Sequence, residues 1–214
     1  MARKRKRSAK AAPAGSTPVR AREGKSFDAS QGKPFDASQG KPFDASQGKP
    51  FDASQGKPVS ASRAEYVEVV LPGQANPLGN VLGGHVMHLI DITAAIAAHR
   101  HSNSYAATVA VDYLDFRHPI KVGQLIVLKA SVNRVFKTSM EVGVKVFSED
   151  ILTGERRHTS SAYVTFVALD EQSQPKHVRP VACETEEDRR RWRDAEVRRR
   201  IRLELRYKKA GVRR

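Results

Sequence analysis

The chain has 214 residues and a formal net charge of +15, with 38 lysines and arginines against 23 aspartates and glutamates. Its single cysteine, Cys183, excludes a fold held by intramolecular disulfides and is compatible with a reducing compartment. No apolar run approaches the roughly 20 residues that a bilayer-spanning helix requires, so we expect a cytoplasmic protein. The N-terminus lacks a secretory hydrophobic segment, although its Arg, Ala and Ser content leaves an organellar transit peptide open.

The positive charge is concentrated at the two ends of the chain. Residues 1–58 hold 13 basic against 5 acidic residues and residues 184–214 hold 13 against 7, whereas residues 59–183 hold 12 against 11. The central part is therefore nearly neutral, and about 120 residues suit one globular domain. We predict that the basic ends attract nucleic acid or other anions weakly and without specificity, because no base-reading motif accompanies them.

The N-terminal segment contains an octapeptide that is repeated almost without change. Residues 24–57 consist of Gly-Lys-Ser-Phe-Asp-Ala-Ser-Gln, three copies of Gly-Lys-Pro-Phe-Asp-Ala-Ser-Gln, and a final Gly-Lys. Each unit has one large apolar residue, a phenylalanine, which is too few for a packed core. We predict that residues 1–61 form a disordered basic N-terminus, in which the four phenylalanines are candidate adhesive residues.

A short predicted strand, at about residues 65–71, precedes the most informative segment of the chain, which runs from Asn76 to Asp91. The pair Gly83 and Gly84 opens a helix whose apolar residues cover nearly the whole circumference, as in a helix that is buried on all sides. Asp91 interrupts this apolar surface. A carboxylate in such surroundings needs a partner or a hydrogen bond, which makes it a candidate base or nucleophile. A structural aspartate, bonded to a neighbouring backbone group, is the alternative.

Four segments rich in Val, Tyr, Phe and Thr follow the helix, and we predict that they are strands. Short turns that contain Pro119, Gly123 and Gly154 connect them, so that neighbouring strands are antiparallel. The predicted strands lie at about residues 106–116, 124–136, 139–149 and 158–169. This order predicts an α+β fold, in which an antiparallel sheet of about five strands wraps around a central helix.

The last segment, residues 181–214, is predicted to be a basic C-terminal helix and tail. The helix is expected over about residues 184–209, because its acidic residues come first and its basic residues last, as the helix dipole favours. Its thin apolar stripe, which we expect to dock on the assembly, consists of Trp192, Val197, Ile201 and Leu205.

Five segments along the chain carry a resemblance to a known family. They are residues 76–91, 109–116, 119–123, 137–142 and 165–170. In this order they resemble the hot-dog-fold acyl-coenzyme A thioesterases, most closely the bacterial acyl-CoA thioester hydrolases and the brain-type acyl-CoA hydrolases. The resemblance covers about residues 62–180, which we predict to be one hot-dog domain. It implies dimers that join edge to edge, a dimer or trimer of dimers as the assembly, and active sites between two protomers.

The resemblance assigns the chemistry to the segment around the helix start. It implies that Asp91 is the catalytic carboxylate, which in related enzymes activates water or attacks the thioester. The family's loop asparagine, supplied by the facing protomer, matches Asn76. Gly83 and Gly84 match the family's Gly-Gly pair, where a backbone N–H binds the thioester oxygen. The physics agrees, because a helix N-terminus presents unpaired N–H donors and such a donor contributes about 3 kcal/mol in other acyl-transfer enzymes. A sharp turn into the helix is the alternative use of the glycines.

Further residues are candidates for binding the substrate. Lys137 stands where many relatives carry arginine, in a turn that in the family approaches the phosphates of coenzyme A, and Thr138 and Ser139 are able to donate hydroxyls there. Asn80 is a second amide in the loop before the helix, although capping the helix is its commoner use. We expect His85 to be a polar contact at the pocket mouth. The helix histidines have no further ligand at zinc-like spacing, so we predict no metal site.

The sequence therefore predicts an acyl-CoA thioesterase that hydrolyses acyl-CoA to free fatty acid and CoA at a site between protomers. It needs no cofactor, since coenzyme A is part of the substrate. A hydratase or dehydratase of acyl thioesters is the alternative enzyme, but the helix start lacks the His and acid pair that such an enzyme requires. Outside the enzymes, the alternative is a noncatalytic acyl-CoA sensor or scaffold whose basic tails attract nucleic acid or membrane.

Overall fold

The computed structural model describes residues 56–209 and, within the octapeptide repeats, the backbone of four two-residue strands. These strands form two small antiparallel pairs, Phe27–Asp28 with Lys33–Pro34 and Phe43–Asp44 with Lys49–Pro50. The other residues up to 55 and residues 210–214 lie outside the described part of the chain. The disorder predicted for the N-terminus therefore stays a prediction.

Residues 56–209 form one antiparallel sheet with a helix on each face, which confirms the predicted fold class. The main elements are β1 (Ala64–Val69), α1 (Gly83–Ser102), β2 (Tyr105–Phe116), β3 (Leu125–Phe136), β4 (Ser139–Glu149), β5 (Arg156–Leu169) and α2 (Glu186–Lys209). The sheet has the strand order β1-β3-β4-β5-β2. Two short 3-10 helices, Val59–Ser62 and Pro72–Gln74, flank β1, and Lys57–Pro58 pairs in parallel with Val181–Ala182. Every predicted element is present, and the ends of the five strands and of α2 lie within two residues of the prediction.

The hydrophobic core lies between α1 and one face of the sheet. Alternate residues of the strands are apolar and point to this face, as the period of two in a strand requires. In β4 these residues are Met140, Val142, Val144 and Val146, each at most 1 % exposed. They pack in one cluster with Val86, Leu89, Ile90, Ala94 and Ala97 of α1. Full burial of one large apolar side chain contributes roughly 1.5–3 kcal/mol, so this layer positions α1 firmly on the sheet.

The helix α1 is buried on one side only, which corrects the prediction of a helix buried on all sides. Val86 and Ile90 are each 2 % exposed, whereas Met87 is 49 % exposed. Gly84 and Asp91 are exposed as well. The physical reason is that the sheet of a single protomer covers only part of the helix circumference. One face of α1, which includes Asp91, is therefore open to a partner.

The strand β2 forms an open edge of the sheet. In the described part of the chain it pairs with β5 alone, and two register shifts leave Val109 and Asp112 without a partner residue in that ladder. Val109, Val111 and Tyr113 are between 44 % and 58 % exposed. An edge strand with free backbone groups and exposed apolar side chains is a template for pairing with another chain.

The C-terminal helix α2 packs on the sheet face opposite to α1, and arginines make most of its contacts. Arg191 donates to the hydroxyl of Ser131 at 3.2 Å, and the guanidinium of Arg202 is hydrogen-bonded to Asp112. Burial raises the pKa of the Asp112 carboxyl in spite of this neighbouring cation. Of the predicted apolar stripe, Trp192 contacts the sheet, because the guanidinium carbon of Arg134 in β3 lies 3.5 Å from the centroid of its ring. The other three members of the stripe are exposed, and they are Val197, Ile201 and Leu205.

A buried ion pair lies at the centre of the contact between α2 and the sheet. Glu141 of β4 is fully buried, and the guanidinium of Arg198 donates to both of its carboxylate oxygens at 3.0 and 2.7 Å. Asn133 Nδ2 donates to the same carboxylate at 2.9 Å. Arg198 also stacks on the ring of Tyr163, with its guanidinium carbon 3.7 Å from the ring centroid. The alternation in β4 indicates a polar face at Glu141, but only the position of α2 makes that face an interior.

Neither α1 nor α2 combines the length and hydropathy that a crossing of the bilayer requires.

A second buried polar group joins the start of the domain to the end of α1. His101 is 2 % exposed, its Nδ1 lies 3.2 Å from the Ser62 hydroxyl, and its Nε2 lies 3.1 Å from the carbonyl oxygen of Arg179. Burial lowers the pKa of His101 from 6.5 to about 4. The folded protein therefore keeps this imidazole neutral at a pH where the unfolded chain binds a proton.

This histidine is expected to make the folded state less stable in mild acid. Its contribution is fully present above pH 6.5, the unfolded pKa, and is lost as the pH falls towards about 4, because only the unfolded chain takes up the proton in that window. The free energy of unfolding, measured in urea, should lose about 2 kcal/mol between pH 7 and pH 5 from this group. The His101→Gln variant should lack this part of the pH dependence, and an identical slope in both proteins would contradict the assignment.

Candidate functional site

The loop before α1 is held in shape by the side chain of Asn76. Asn76 Oδ1 accepts hydrogen bonds from the backbone N–H groups of Leu78 at 3.0 Å and Asn80 at 3.2 Å. Gly79 has a φ of 74°, a conformation that glycine adopts at little cost. Among the described residues, the Asn76 amide NH2 group has no hydrogen-bond acceptor. The loop thus fixes Asn76 through its oxygen and leaves its donor side available to a ligand.

The start of α1 presents unpaired backbone donors. The helix begins after Leu82, whose side chain forms no cap, and the first N–H groups bonded to the carbonyl of Leu82 are those of His85 and Val86. Within residues 56–209, the N–H groups of Gly83 and Gly84 have no acceptor. A Cβ at Gly84 would meet nothing within 4 Å, whereas one at Gly83 would touch the ring of Phe116 at 3.6 Å. The structure therefore combines free donors and open space at Gly84, which suits an anionic or developing-oxyanion ligand.

On the open face of α1, the carboxylate of Asp91 is joined to β2. The hydroxyl of Thr108 donates to Asp91 Oδ1 at 2.8 Å. This bond fixes the rotamer of the carboxylate, while Asp91 remains exposed in the single chain. Thr108 is the functional candidate that sequence reasoning missed. Threonine is common in strands, so no local signal distinguishes Thr108, and only its register against α1 brings it to Asp91.

The predicted site residue His85 lies on a different side of α1 and contacts β1. Its Nε2 is 3.0 Å from Glu68 Oε1, and the hydroxyl of Tyr66 donates to Glu68 Oε2 at 2.7 Å. Gln74 Nε2 also donates to Glu68. The bond from Tyr66, followed by those from His85 and Gln74, holds the pKa of the Glu68 carboxyl below its ordinary value. This network ties the loop and the helix start to β1, so the structure gives His85 a positioning contact, and its role at the pocket mouth stays a prediction.

Of the three candidates for phosphate binding, Lys137 and Thr138 form the turn between β3 and β4, and Ser139 is the first residue of β4. Lys137 is exposed and has a φ of 58°, a left-handed conformation that is uncommon for a residue with a side chain. Its carbonyl accepts the N–H of Val178 at 2.9 Å, and the carbonyl of Thr138 accepts the N–H of Ala168 at the same distance. Ser139 donates to the carbonyl of Phe136 at 3.4 Å. The turn is therefore rigidly held and presents the Lys137 ammonium outward.

The two halves of the candidate site lie far apart within one protomer. Gly84 and Asp91 are seven residues apart in α1, which is about 10 Å along the helix axis at 1.5 Å per residue. A carbonyl carbon under attack must be about 3 Å from both its oxyanion donor and its base or nucleophile. One protomer alone therefore does not offer both groups to the same carbonyl.

No cluster of three or more His, Cys, Asp or Glu side chains in the described part of the chain is arranged to hold a metal ion.

Comparison with known proteins identifies the family. A family model described as Thioesterase superfamily matches residues 78–155. The acyl-CoA thioester hydrolase YkhA of Bacillus subtilis is 40 % identical over 119 residues, which span 56 % of this chain and 69 % of that protein. The chain belongs to the thioesterase superfamily. The chain is also 43 % identical over 147 residues to acyl-coenzyme A thioesterase 11 of Mus musculus, with 68 % of this chain aligned. The chain spans about a quarter of the length of this relative and of two other rodent thioesterases.

Solved structures of thioesterases share the fold. The acyl-CoA hydrolase of Staphylococcus aureus, solved in complex with butyryl coenzyme A and coenzyme A, is 31 % identical with a TM-score of 0.70, and the match covers 73 % of this chain and 96 % of that one. An apo-hexameric acyl-CoA thioesterase is 40 % identical with a TM-score of 0.68, and the match covers 74 % and 99 % of the two chains. The resemblance seen in the sequence is thereby confirmed at the level of family and fold.

Three further structures of the Staphylococcus aureus hydrolase carry single alanine substitutions. The replaced residues are an asparagine, an aspartate fifteen positions later and a threonine seventeen positions after that aspartate. Asn76, Asp91 and Thr108 of this chain have the same two spacings. The three residue types that were substituted in the relative are thus all present here, at the loop, the helix and the edge strand.

Proposed function

We propose that the chain is an acyl-CoA thioesterase that hydrolyses acyl-CoA to free fatty acid and CoA at a site shared by two protomers. The observation that carries the proposal is the Asp91–Thr108 pair, 2.8 Å apart on the open face of α1, with free N–H donors at the start of the same helix. The family supports this chemistry, and the butyryl coenzyme A bound by the Staphylococcus aureus hydrolase supports the substrate class.

The separation within α1 supports the sharing of each site by two protomers. Because Gly84 and Asp91 of one helix are about 10 Å apart along the axis, a thioester bound at Gly84 of one protomer meets Asp91 of the other. An antiparallel two-fold arrangement of two α1 helices brings each helix start opposite the middle of its partner, and it creates two identical sites. The exposed face of α1 and the open edge of β2 provide the surfaces for this arrangement. The hexameric state of a solved relative supports a trimer of such dimers.

The proposed reaction uses each candidate group in one step. The thioester oxygen accepts the N–H of Gly84, with the Asn76 NH2 group as a second donor or as the group that orients water. The carboxylate of Asp91, held by Thr108, removes a proton from water as the water oxygen bonds to the carbonyl carbon. Collapse of the tetrahedral intermediate breaks the C–S bond, and the proton passes to the departing thiolate. The products are the free acid and CoA, with no redox change. The same geometry allows a second route, in which Asp91 attacks the carbonyl carbon itself and the CoA thiolate departs. Water then hydrolyses the resulting anhydride between Asp91 and the acyl group.

The turn at Lys137 is the proposed contact for the phosphates of coenzyme A, with Thr138 and Ser139 beside it. The exposed ammonium supplies positive charge to an anion. Asn80 and Gly83 belong to the same proposed binding region through the loop and the helix start. We propose that neither a metal nor a redox cofactor takes part, because the carboxylate and the backbone donors together supply the base and the oxyanion contacts.

The sharing of sites is tested by mixing two inactive variants. Asn76→Asp keeps the oxygen that holds the loop and removes the NH2 donor, whereas Asp91→Ala removes the base. Each variant alone should release little thiol from a panel of short, long and aromatic acyl-CoAs. If they are unfolded and refolded together, about half of the dimers are mixed and each mixed dimer has one complete site, so that about a quarter of wild-type activity should return.

The matched control replaces the Asn76→Asp chain by one that carries both substitutions. Mixing it with Asp91→Ala leaves no site with Asp91, so no activity should return. Failure of the first mixture to regain activity, with dimers formed, would contradict the shared site. Binding of acyl-CoA by the wild-type protein without thiol release from any substrate would favour the noncatalytic sensor or scaffold.

A further inference from the structure

The contacts of α2 advance across the sheet towards its open edge. Arg191 contacts Ser131 of β3, Arg198 contacts Glu141 of β4, and Arg202 contacts Asp112 of β2. From residue 191 to residue 202 the helix rises about 16 Å. The three strand spacings from β3 to β2 amount to about 14 Å. The small difference between these two lengths means that α2 crosses the strands at a steep angle and does not run along them.

Beyond Arg202 the helix continues past the last strand of the sheet. The helix ends at Lys209, so seven further residues extend about 10 Å beyond the Asp112 contact. This length equals about two strand spacings. In the described part of the chain, no strand lies under this overhanging segment, since β2 is the edge.

The end of α2, from Ile201 onward, and the edge strand form one exposed surface that is largely apolar. Ile201 is 51 % and Leu205 is 54 % exposed, although both lie on the same side of the helix one turn apart. A cleft of about 560 Å³ lies between them and β2, and Val109, Val111 and Tyr113 line its other wall. The charged residues in its lining are Asp112, Arg198, Arg202 and Arg206. An apolar cleft that is continuous with a free strand edge is typical of an interface with another chain.

We propose that the occupant of this cleft is a second copy of the chain, and that the ends of the two α2 helices clamp the dimer across the seam between the β2 strands. The inference rests on the two-protomer site proposed above. When two β2 strands pair edge to edge, the overhanging end of each α2 lies over β2 and β5 of the other copy. The two-fold axis makes the two helices antiparallel, so that Leu205 of one copy packs near Ile201 of the other. The α2 helix is then part of the dimer interface and not only a basic tail.

A positive test uses cysteine pairing in the full-length protein. In the Cys183→Ser background, Ile201→Cys and Leu205→Cys are introduced together, and mild oxidation should convert most of the protein into a covalent dimer. The matched control is Leu152→Cys in the same background, because Leu152 is 93 % exposed in the turn between β4 and β5, away from the seam. Covalent dimer at the control level only would overturn the proposal.

A second test measures the strength of the dimer. Ile201→Glu with Leu205→Glu should raise the dimer dissociation constant, measured by analytical ultracentrifugation, at least about 100-fold, while Leu152→Glu leaves it unchanged. An unchanged dissociation constant would overturn the clamp but would leave the thioesterase proposal standing if the wild-type protein releases thiol. Absence of thiol release by the wild-type protein would reject the proposed activity, whereas the cysteine test would still decide the clamp.

Discussion

Replacing Asp91 by asparagine is expected to lower kcat for thiol release by about 10²–10⁴-fold, the usual contribution of a positioned general base. Asparagine has nearly the same shape, so the hydrogen bond from Thr108 and the packing of α1 survive. The amide does not accept a proton from water, and therefore the loss falls on the chemical step. KM should change little, because Asp91 faces the reacting carbonyl and not the phosphates. Steady-state kinetics on the preferred acyl-CoA measure both constants.

The control for this substitution is Glu155→Gln, which removes an exposed carboxylate in the turn between β4 and β5. It should leave kcat unchanged. Thr108→Val keeps the volume of the side chain and removes the O–H donor, and it should lower kcat by roughly 10-fold or more, since a hydrogen bond to a charged group contributes about 1.5–3 kcal/mol. A fully active Asp91→Asn protein would reject Asp91 as base or nucleophile and, with it, the proposed mechanism.

Replacing Arg198 by methionine is expected to lower the free energy of unfolding by about 3–5 kcal/mol, the cost of breaking a buried ion pair from one side. Glu141 has no exposed surface, and after the substitution Asn133 Nδ2 would be its remaining side-chain donor. Methionine fills much of the space of the arginine side chain, so the substitution creates little cavity and the loss of the charge accounts for most of the effect. Urea unfolding followed by circular dichroism measures the change.

Two controls separate this ion pair from the general effect of losing an arginine. Arg200→Met removes an exposed cation of the same helix and should change stability by no more than about 0.5 kcal/mol. The double variant Glu141→Met with Arg198→Met removes both charges and should be more stable than Arg198→Met alone, because no uncompensated carboxylate stays buried. A loss below about 1 kcal/mol for Arg198→Met would show that α2 does not exclude water from the Glu141 carboxylate.

Much of the fold was predictable because the signals are local. The alternation in β4 and the turn residues Gly123 and Gly154 depend on backbone geometry that neighbouring residues set by themselves. The order of the elements then allows few arrangements other than a sheet around a helix. The prediction of a helix buried on all sides was wrong for the single chain, because the burial of a helix depends on contacts that are not local. Small and apolar residues around α1 indicate that the helix is covered, but they do not indicate whether one chain or two supply the cover.

The candidate site was predictable in part. Asn76, Gly84 and Asp91 lie in one short segment with a recognisable order, so the sequence alone singles them out. Thr108 was missed because its meaning depends on the packing of β2 against α1. The burial of Glu141 was not predictable for the same reason, since it depends on α2, which is 45 residues or more further along the chain.

The sequence by itself therefore determined the elements, their order, the core face of the sheet and the segment that carries the chemistry, because each depends on residues that are close along the chain. Only the tertiary structure decided which charges are buried, which strand is the open edge, and that Asp91 is joined to Thr108. Those properties arise from contacts between distant residues, where burial and register, not local propensity, set the free energy. The same contacts leave one face of α1 and the end of α2 uncovered, and these surfaces are where a second copy completes the molecule in our proposal.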